Sequence, residues 1–409
     1  MAVVALVGTL DTKGREYGFL RDVLQAAGVE SLLIDVGVLG SPVMTADVSR
    51  DDVARAAGSS LDEASNQPDR GSAISLMAKG ASAVVSDLVS AGSIDGILGL
   101  GGTGGTTLVT EVMRALPVGF PKLMVSTVAS GDTRPYVGSV DITMMYSIVD
   151  IAGINEISSM ILTNAAAAMA GMVNAQKPEH VESKRVIAAS MFGLTTPAVE
   201  AAREFLEGHG YEVMVFHATG AGGASMEKLV DSGFVAGVLD VTTTELADEL
   251  VGGVFASGPT RLTAAGRADI PQVVSLGALD MVNFGARDTV RAEFSKRTLY
   301  VHNASVTLMR TSVDECRELG RRIAARLNDS ANAATTTVFI PEGGFSGIDV
   351  EGQAFFDPDA DAALIEALTA DLNPSIPVIR RSVPVNDRSF AIEMAETLHN
   401  AIQNSSRTK

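Results

Sequence analysis

The chain has 409 residues, with 31 Lys and Arg against 49 Asp and Glu, a formal charge of −18. Nucleic-acid affinity rests on clustered cations that release counterions. That balance, spread over both halves without a polybasic arm, therefore argues against a nucleic-acid partner. The single cysteine, Cys316, excludes an intramolecular disulfide and a thiolate metal cluster.

Hydrophobic residues make up 46% of the chain but aromatics only 5%, with no Trp and 40 Gly. Such a core is built from Val, Ile, Leu, Ala and Met, which suits helices packed closely on a buried parallel sheet. The length exceeds what one core usually fills, so two domains are expected. The N-terminus, MAVVALVGTLDTKG, has no basic region and reads as a first strand, not a signal peptide. No apolar run approaching the ~20 residues of a membrane helix is read, so a soluble, cytoplasmic protein without a membrane partner is expected.

Short β-rich runs ending in Gly or Asp alternate with Ala-rich helical segments, the rhythm of βαβ units. In chain order the first half predicts a strand at Val3–Val7, a helix at Lys13–Ala27, a strand at Ser31–Asp35 and a helix at Gly71–Ala91. A strand at Gly96–Leu100, a helix at Thr103–Leu116, a strand at Lys122–Ser126 and a long small-residue helix at Ile154–Ala175 follow. That last helix is a candidate subunit interface. The polar, Pro-containing segment Gln176–Lys184 marks the boundary between domains at 1–178 and 184–409. The second half restarts with a strand at Val186–Met191, a helix at Ala198–His209 and a strand at Glu212–Phe216. Cys316 shares helical spacing with Val313, Gly320, Ile323 and Leu327, the place of a small core residue. Strand, glycine, Thr-containing turn, helix, glycine and strand recur in the same order in both halves, the pattern of either two related α/β domains or two generic βαβ units.

Ligands of open α/β sheets bind at the carboxyl ends of strands, beside helix N-termini. The sharpest feature at such a place is the run Gly99–Thr107, GLGGTGGTT, between an apolar strand and a helix. Glycines let the backbone approach an anion, and the free amides of the next helix attract it. Gly99, Gly101 and Gly104 fit GxGxxG, but no acidic residue follows about twenty positions on. Gly99-xxxx-Gly104-x-Thr106 resembles a P-loop, but Gly105 stands where its Lys is required. The alternative is a structural turn. The cradle would comprise Gly101, Gly102, Thr103, Gly104, Gly105 and Thr106. Asp11, Thr12 and Lys13 join it from the first strand end, and Ser126, Thr127, Ser130 and Gly131 from the fourth. Asp11 could also hold Mg²⁺ through water, or simply cap the next helix.

In the second half, His217, Asp240, Glu245, Asp280 and His302 all lie near expected strand ends. Together they could supply general acid–base chemistry in a cleft between the domains. No HExxH or GxSxG motif accompanies them, and each carboxylate alone could be a helix cap.

GTLDTKG, GLGGTGGT, STVASGDT, MFGLTTP, VFHATGAGG, LDVTTTE, GALDMVNFG and HNASVTLMRT resemble the ATP-binding domain family of the plant tobamovirus-resistance protein and its bacterial relatives. The resemblance runs from Val3 to about Phe390. It implies two Rossmann-like domains, each a mainly parallel sheet flanked by helices, an ATP site with Mg²⁺, and a homodimer. The family tends to have Pro-Glu-Lys-Gly near the C-terminus, whereas Gly343 stands at the Lys position here. Three functions follow as expectations: an ATP-binding enzyme or nucleotide-regulated switch; a hydrolase or lyase of small metabolites acting in the second domain; or a non-catalytic binding protein whose dimer a nucleotide stabilises.

Overall fold

A computed structural model describes residues 1–176 and 184–408, so most of the expected linker, 177–183, lies outside the described residues. The chain divides into two compact units, residues 1–179 and 180–409.

In the first unit, strands β1 (Val3–Gly8), β2 (Glu30–Asp35), β3 (Gly96–Gly101), β4 (Lys122–Ser126) and β5 (Thr143–Tyr146) form a parallel sheet. The connecting helices are α1 (Leu10–Ala26), α2 (Arg50–Ala56), α3 (Leu61–Ser65), α4 (Arg70–Ser90), α5 (Thr103–Ala115) and α6 (Arg134–Val137). Helix α7 (Glu156–Asn174) closes the unit. Strand order is β2-β1-β3-β4-β5, so the winding reverses between β1 and β3.

Side chains alternate across these strands because the strand period is two residues. Ala5, Val7, Ile97 and Met124 share one core with Met77 and Val85 of α4 and Val109 and Val112 of α5. Val4, Leu6, Leu98 and Val125 join Tyr17 and Leu20 of α1 and Leu162 and Met169 of α7 on the other face. The near-continuous apolar runs seen in the sequence are the mark of strands buried on both sides. α4 and α7 correct one expectation, since both have the length and apolar composition of a bilayer-crossing helix. Here α4 packs against α2 and α5, and α7 against α1.

In the second unit, β6 (Val186–Met191), α8 (Thr196–Gly208), β7 (Glu212–His217), α9 (Ala221–Asp231), β8 (Gly237–Thr242), α10 (Glu245–Val251), α11 (Ala264–Arg267) and β9 (Gln272–Gly277) follow in turn. A three-stranded antiparallel sheet is inserted next: β10 (Met281–Phe284), β11 (Leu299–Asn303) and β12 (Val306–Arg310). The chain ends with α12 (Val313–Asn328), β13 (Thr336–Pro341), α13 (Pro358–Asp371), β14 (Val378–Arg381) and α14 (Arg388–Thr408).

The main sheet is parallel, in the order β14-β13-β9-β8-β6-β7. Counted from its own first strand, this repeats the winding of the N-terminal sheet and adds one strand. Both units are therefore Rossmann-like doubly wound α/β folds. Cys316 is fully buried in the core that α12 and α13 build on this sheet, and burial pushes its thiol up to about 11.

Candidate functional site

In a doubly wound sheet the ligand crevice lies at the carboxyl edge where the winding reverses. In the N-terminal unit a cavity of about 340 Å³ lies there, lined by Gly8 and Thr9 after β1, Val36 and Val38 after β2, and Gly101 to Gly105 after β3. Asp11, Thr12 and Lys13 line it from the first turn of α1. One wall is aliphatic, with Ile74 and Met77 of α4 and Leu108 and Val109 of α5.

Two features of the cavity stand out, one suited to an anion and one to the cation that would accompany it. Helix α5 begins at Gly102, which has no side chain with which to cap it. Thr103, Gly104 and Gly105 thus present amides that have no intrahelical partner. Four other helices, α2, α3, α7 and α12, carry capping boxes, whereas α1 and α8 share with α5 the lack of a side-chain cap. A Cβ on Gly104 would stand 3.1 Å from Ile74 Cδ1 and 3.4 Å from Arg70 Nη2, so a side chain here would intrude where α5 meets α4.

The second feature is Asp11, whose side chain is only 2% exposed. Its Oδ2 accepts the amides of Leu39 at 2.8 Å and Gly40 at 3.2 Å, and Arg50 stands 3.8 Å away. Its Oδ1 is buried without a hydrogen-bond partner. An unpaired buried carboxylate oxygen costs free energy unless something binds it. The chemistry of this atom fits a divalent cation, held directly or through water. Asp35 takes the capping role weighed for Asp11: its Oδ1 accepts from the Leu10 amide at the start of α1, and its Oδ2 from Arg50 Nε.

Not every expected cradle residue reaches the cavity. Lys13 lines it, but its ammonium donates to the carbonyl of Ile151. Thr106 and Ser126 are fully buried and joined hydroxyl to hydroxyl at 2.7 Å, tying the end of β4 to the start of α5. They support the loop from below and are not placed to touch a ligand. Thr127 donates its amide to Gly101 O, whereas Ser130 and Gly131 form an exposed turn that does not line the cavity. Arg70 and Asp150 line it and were missed. One signal was available for Arg70: a cation in the first turn of a helix opposes the helix dipole, which asks for another reason to be there.

Of the five second-domain candidates, the structure brings Asp240 and Glu245 together and places Asp280, His217 and His302 apart from them. Asp240 and Glu245 are both buried against Arg261, whose side chain is wholly inaccessible. Arg261 Nη2 donates to Asp240 Oδ1 at 2.6 Å and Nε to Glu245 Oε2 at 2.6 Å. Glu245 Oε1 accepts the amides of Gly220 and Gly223 at the start of α9. The protein's own carboxylate therefore occupies the helix terminus that is left bare in α5. Asp280 is fully buried beside a separate ion cluster in which Arg310 pairs with Asp349 and Asp361. Burial pushes Asp280 up to about 7 and Asp349 up to about 9. His217 is exposed on the edge strand β7, and His302 is exposed on β11 of the antiparallel sheet.

Residues 2–178 match the N-terminal domain, and residues 184–402 the C-terminal domain, of an uncharacterised protein family, UPF0261. The chain belongs to that family. A UPF0261 protein of Clostridium tetani is 50% identical over 401 residues, covering 98% of this chain and 99% of its own. The tomato ToMV resistance protein Tm-1(GCR237) is 43% identical over 335 residues, covering 80% of this chain but 44% of the plant protein. The resemblance read from the motifs is thus met by both bacterial and plant relatives. Among solved structures, a UDP-GlcNAc 2-epimerase from Methanocaldococcus jannaschii covers 98% of this chain and 100% of its own at 9% identity. Its TM-score of 0.23 is too low to carry an argument.

Proposed function

We propose that the N-terminal domain binds a nucleoside triphosphate of the ATP class together with Mg²⁺, as part of an ATP-dependent enzyme or a nucleotide-regulated switch. The observation that carries this reading is the bare amino end of α5 lining the same cavity as Asp11, whose buried Oδ1 has no hydrogen-bond partner. Backbone amides suit phosphate oxygens and the carboxylate suits the cation that accompanies them. The aliphatic wall of Ile74, Met77, Leu108 and Val109 offers a base an apolar surface without aromatic stacking. An acidic chain can hold a polyanion only by such local means, so affinity should depend strongly on divalent ion.

Titration calorimetry of the full chain with ATP, with and without Mg²⁺, tests the proposal. Heat of binding that requires Mg²⁺ and is lost in Gly104→Val supports it; no heat at high protein concentration sinks it. The expected homodimer belongs to the same reading. Ile157 and Met160 leave an apolar face of α7 exposed at 45% and 55%, which a second copy would cover. Light scattering with and without nucleotide measures this.

A further inference from the structure

The nucleotide reading leaves one residue unexplained. Arg70 is the first residue of α4, where its charge opposes the helix dipole, so helix stability does not account for it. Its neighbour Asp69 is committed elsewhere, accepting from Ser72 N at 2.8 Å and Ser72 Oγ at 2.9 Å. Among the described residues the Arg70 guanidinium makes no hydrogen bond or ion pair. Its Nη2 lies 3.4 Å from the point a Cβ of Gly104 would occupy, against the uncapped start of α5.

Ala73, Ile74 and Met77 follow Arg70 at spacings of three, four and seven and line the same cavity. One face of α4 therefore runs from three apolar side chains to a single exposed cation at its outer end. The other cation of the cavity, Lys13, is held by the Ile151 carbonyl. A ligand with its base on the apolar stretch and its phosphates along the start of α5 would bring its last phosphate to Arg70. The planar guanidinium fork suits that group through paired charge-assisted hydrogen bonds.

Resting on the nucleotide reading above, we infer that Arg70 contacts the terminal phosphate and makes the site select a nucleoside triphosphate over the diphosphate. It is a specificity residue of the binding site. Calorimetry of ATP and ADP with Mg²⁺ against wild type, Arg70→Gln and Arg70→Lys tests it. Arg70→Gln should weaken ATP by roughly 10- to 100-fold while ADP changes little, and Arg70→Lys should recover part of the loss. An equal loss for ATP and ADP, or none for either, with a wild type that binds ATP, overturns the role of Arg70 and leaves the nucleotide site standing. A wild type that binds neither nucleotide overturns both. Because Arg70 is exposed and unpaired at the start of α4, the thermal midpoint of the free variants should be no lower than that of wild type, separating lost contact from lost fold.

Discussion

The hydroxyl of Tyr17 accepts the amide of Leu100 at 3.0 Å, so a side chain on α1 holds the carboxyl end of β3 directly beneath the glycine loop. The same hydroxyl donates to Val7 O on β1, and the ring is completely buried. Tyr17 therefore bridges the two strands at which the winding of the sheet reverses.

Tyr17→Phe keeps the ring and removes the bridge. It should leave buried polar groups of β1 and β3 unpaired and cost about 1–3 kcal/mol of stability. Denaturant unfolding of the full chain measures this, and an unchanged midpoint would show that the hydroxyl does not hold the strands.

Gly37 makes room for the carboxylate of Asp11. A Cβ there would stand 2.6 Å from Asp11 Cγ, too close to be accommodated without moving one or the other. Gly37→Ala should therefore lower the Mg²⁺-dependent affinity for ATP by roughly tenfold or more through displacement of Oδ1. Calorimetry with and without the ion separates this effect from a general loss of binding, which would be independent of Mg²⁺.

How far the sequence could be read follows the range of the interactions involved. Strand positions such as Gly96–Leu100 and Glu212–Phe216 were legible because apolar content is a local signal, and they differ from the observed strands by a residue at the carboxyl end. The start of α1 was placed three residues late, at Lys13, since helix propensity in TLDTKG does not reveal that Asp35, far along the chain, takes the Leu10 amide. The glycine loop could be located because loop and helix adjoin in sequence. Asp240, Glu245 and Asp280 could not be judged because their surroundings come from Arg261 and Ser346, residues distant in sequence. Polar residues near strand ends look alike whether they face a ligand or a buried counterion.

Among the described residues, Arg261 is the cation paired with three buried carboxylates. Its guanidinium touches Asp240, Glu245 and Glu227. Arg261→Met should strand these carboxylates in the interior and cost about 3–5 kcal/mol, as expected when one partner of a buried ion pair is removed. A thermal midpoint close to wild type would mean that water reaches the cluster in the variant.

The Arg310 cluster gives a pH dependence of definite sign. Burial raises Asp349 to about 9, Asp280 to about 7 and Asp361 to about 6, all above the ordinary carboxylate value. The folded state therefore holds more protons than the unfolded chain between about pH 4 and about pH 9, and the contribution of these groups to stability declines as pH rises through that window. Asp349→Asn, which cannot ionise, should flatten the decline. Denaturant midpoints of both proteins across this range provide the check, and parallel curves would remove Asp349 as the source.

On the proposed function, the bare start of α5 ties the lifetime of the protein to the ligand it would hold. Gly102 has ordinary extended φ and ψ of −77° and −164°, and an added Cβ would meet only Thr127 Oγ1 at 3.7 Å, so the backbone does not demand glycine there. Gly102→Ser should cap the helix and stabilise the unliganded domain by a few tenths of a kcal/mol while crowding the proposed phosphate site. A ligand bound only by the folded state stabilises it by mass action. With the native glycine, the fraction of chains exposed to proteolysis would then fall as the supply of that ligand rises, so protein abundance itself would report its concentration.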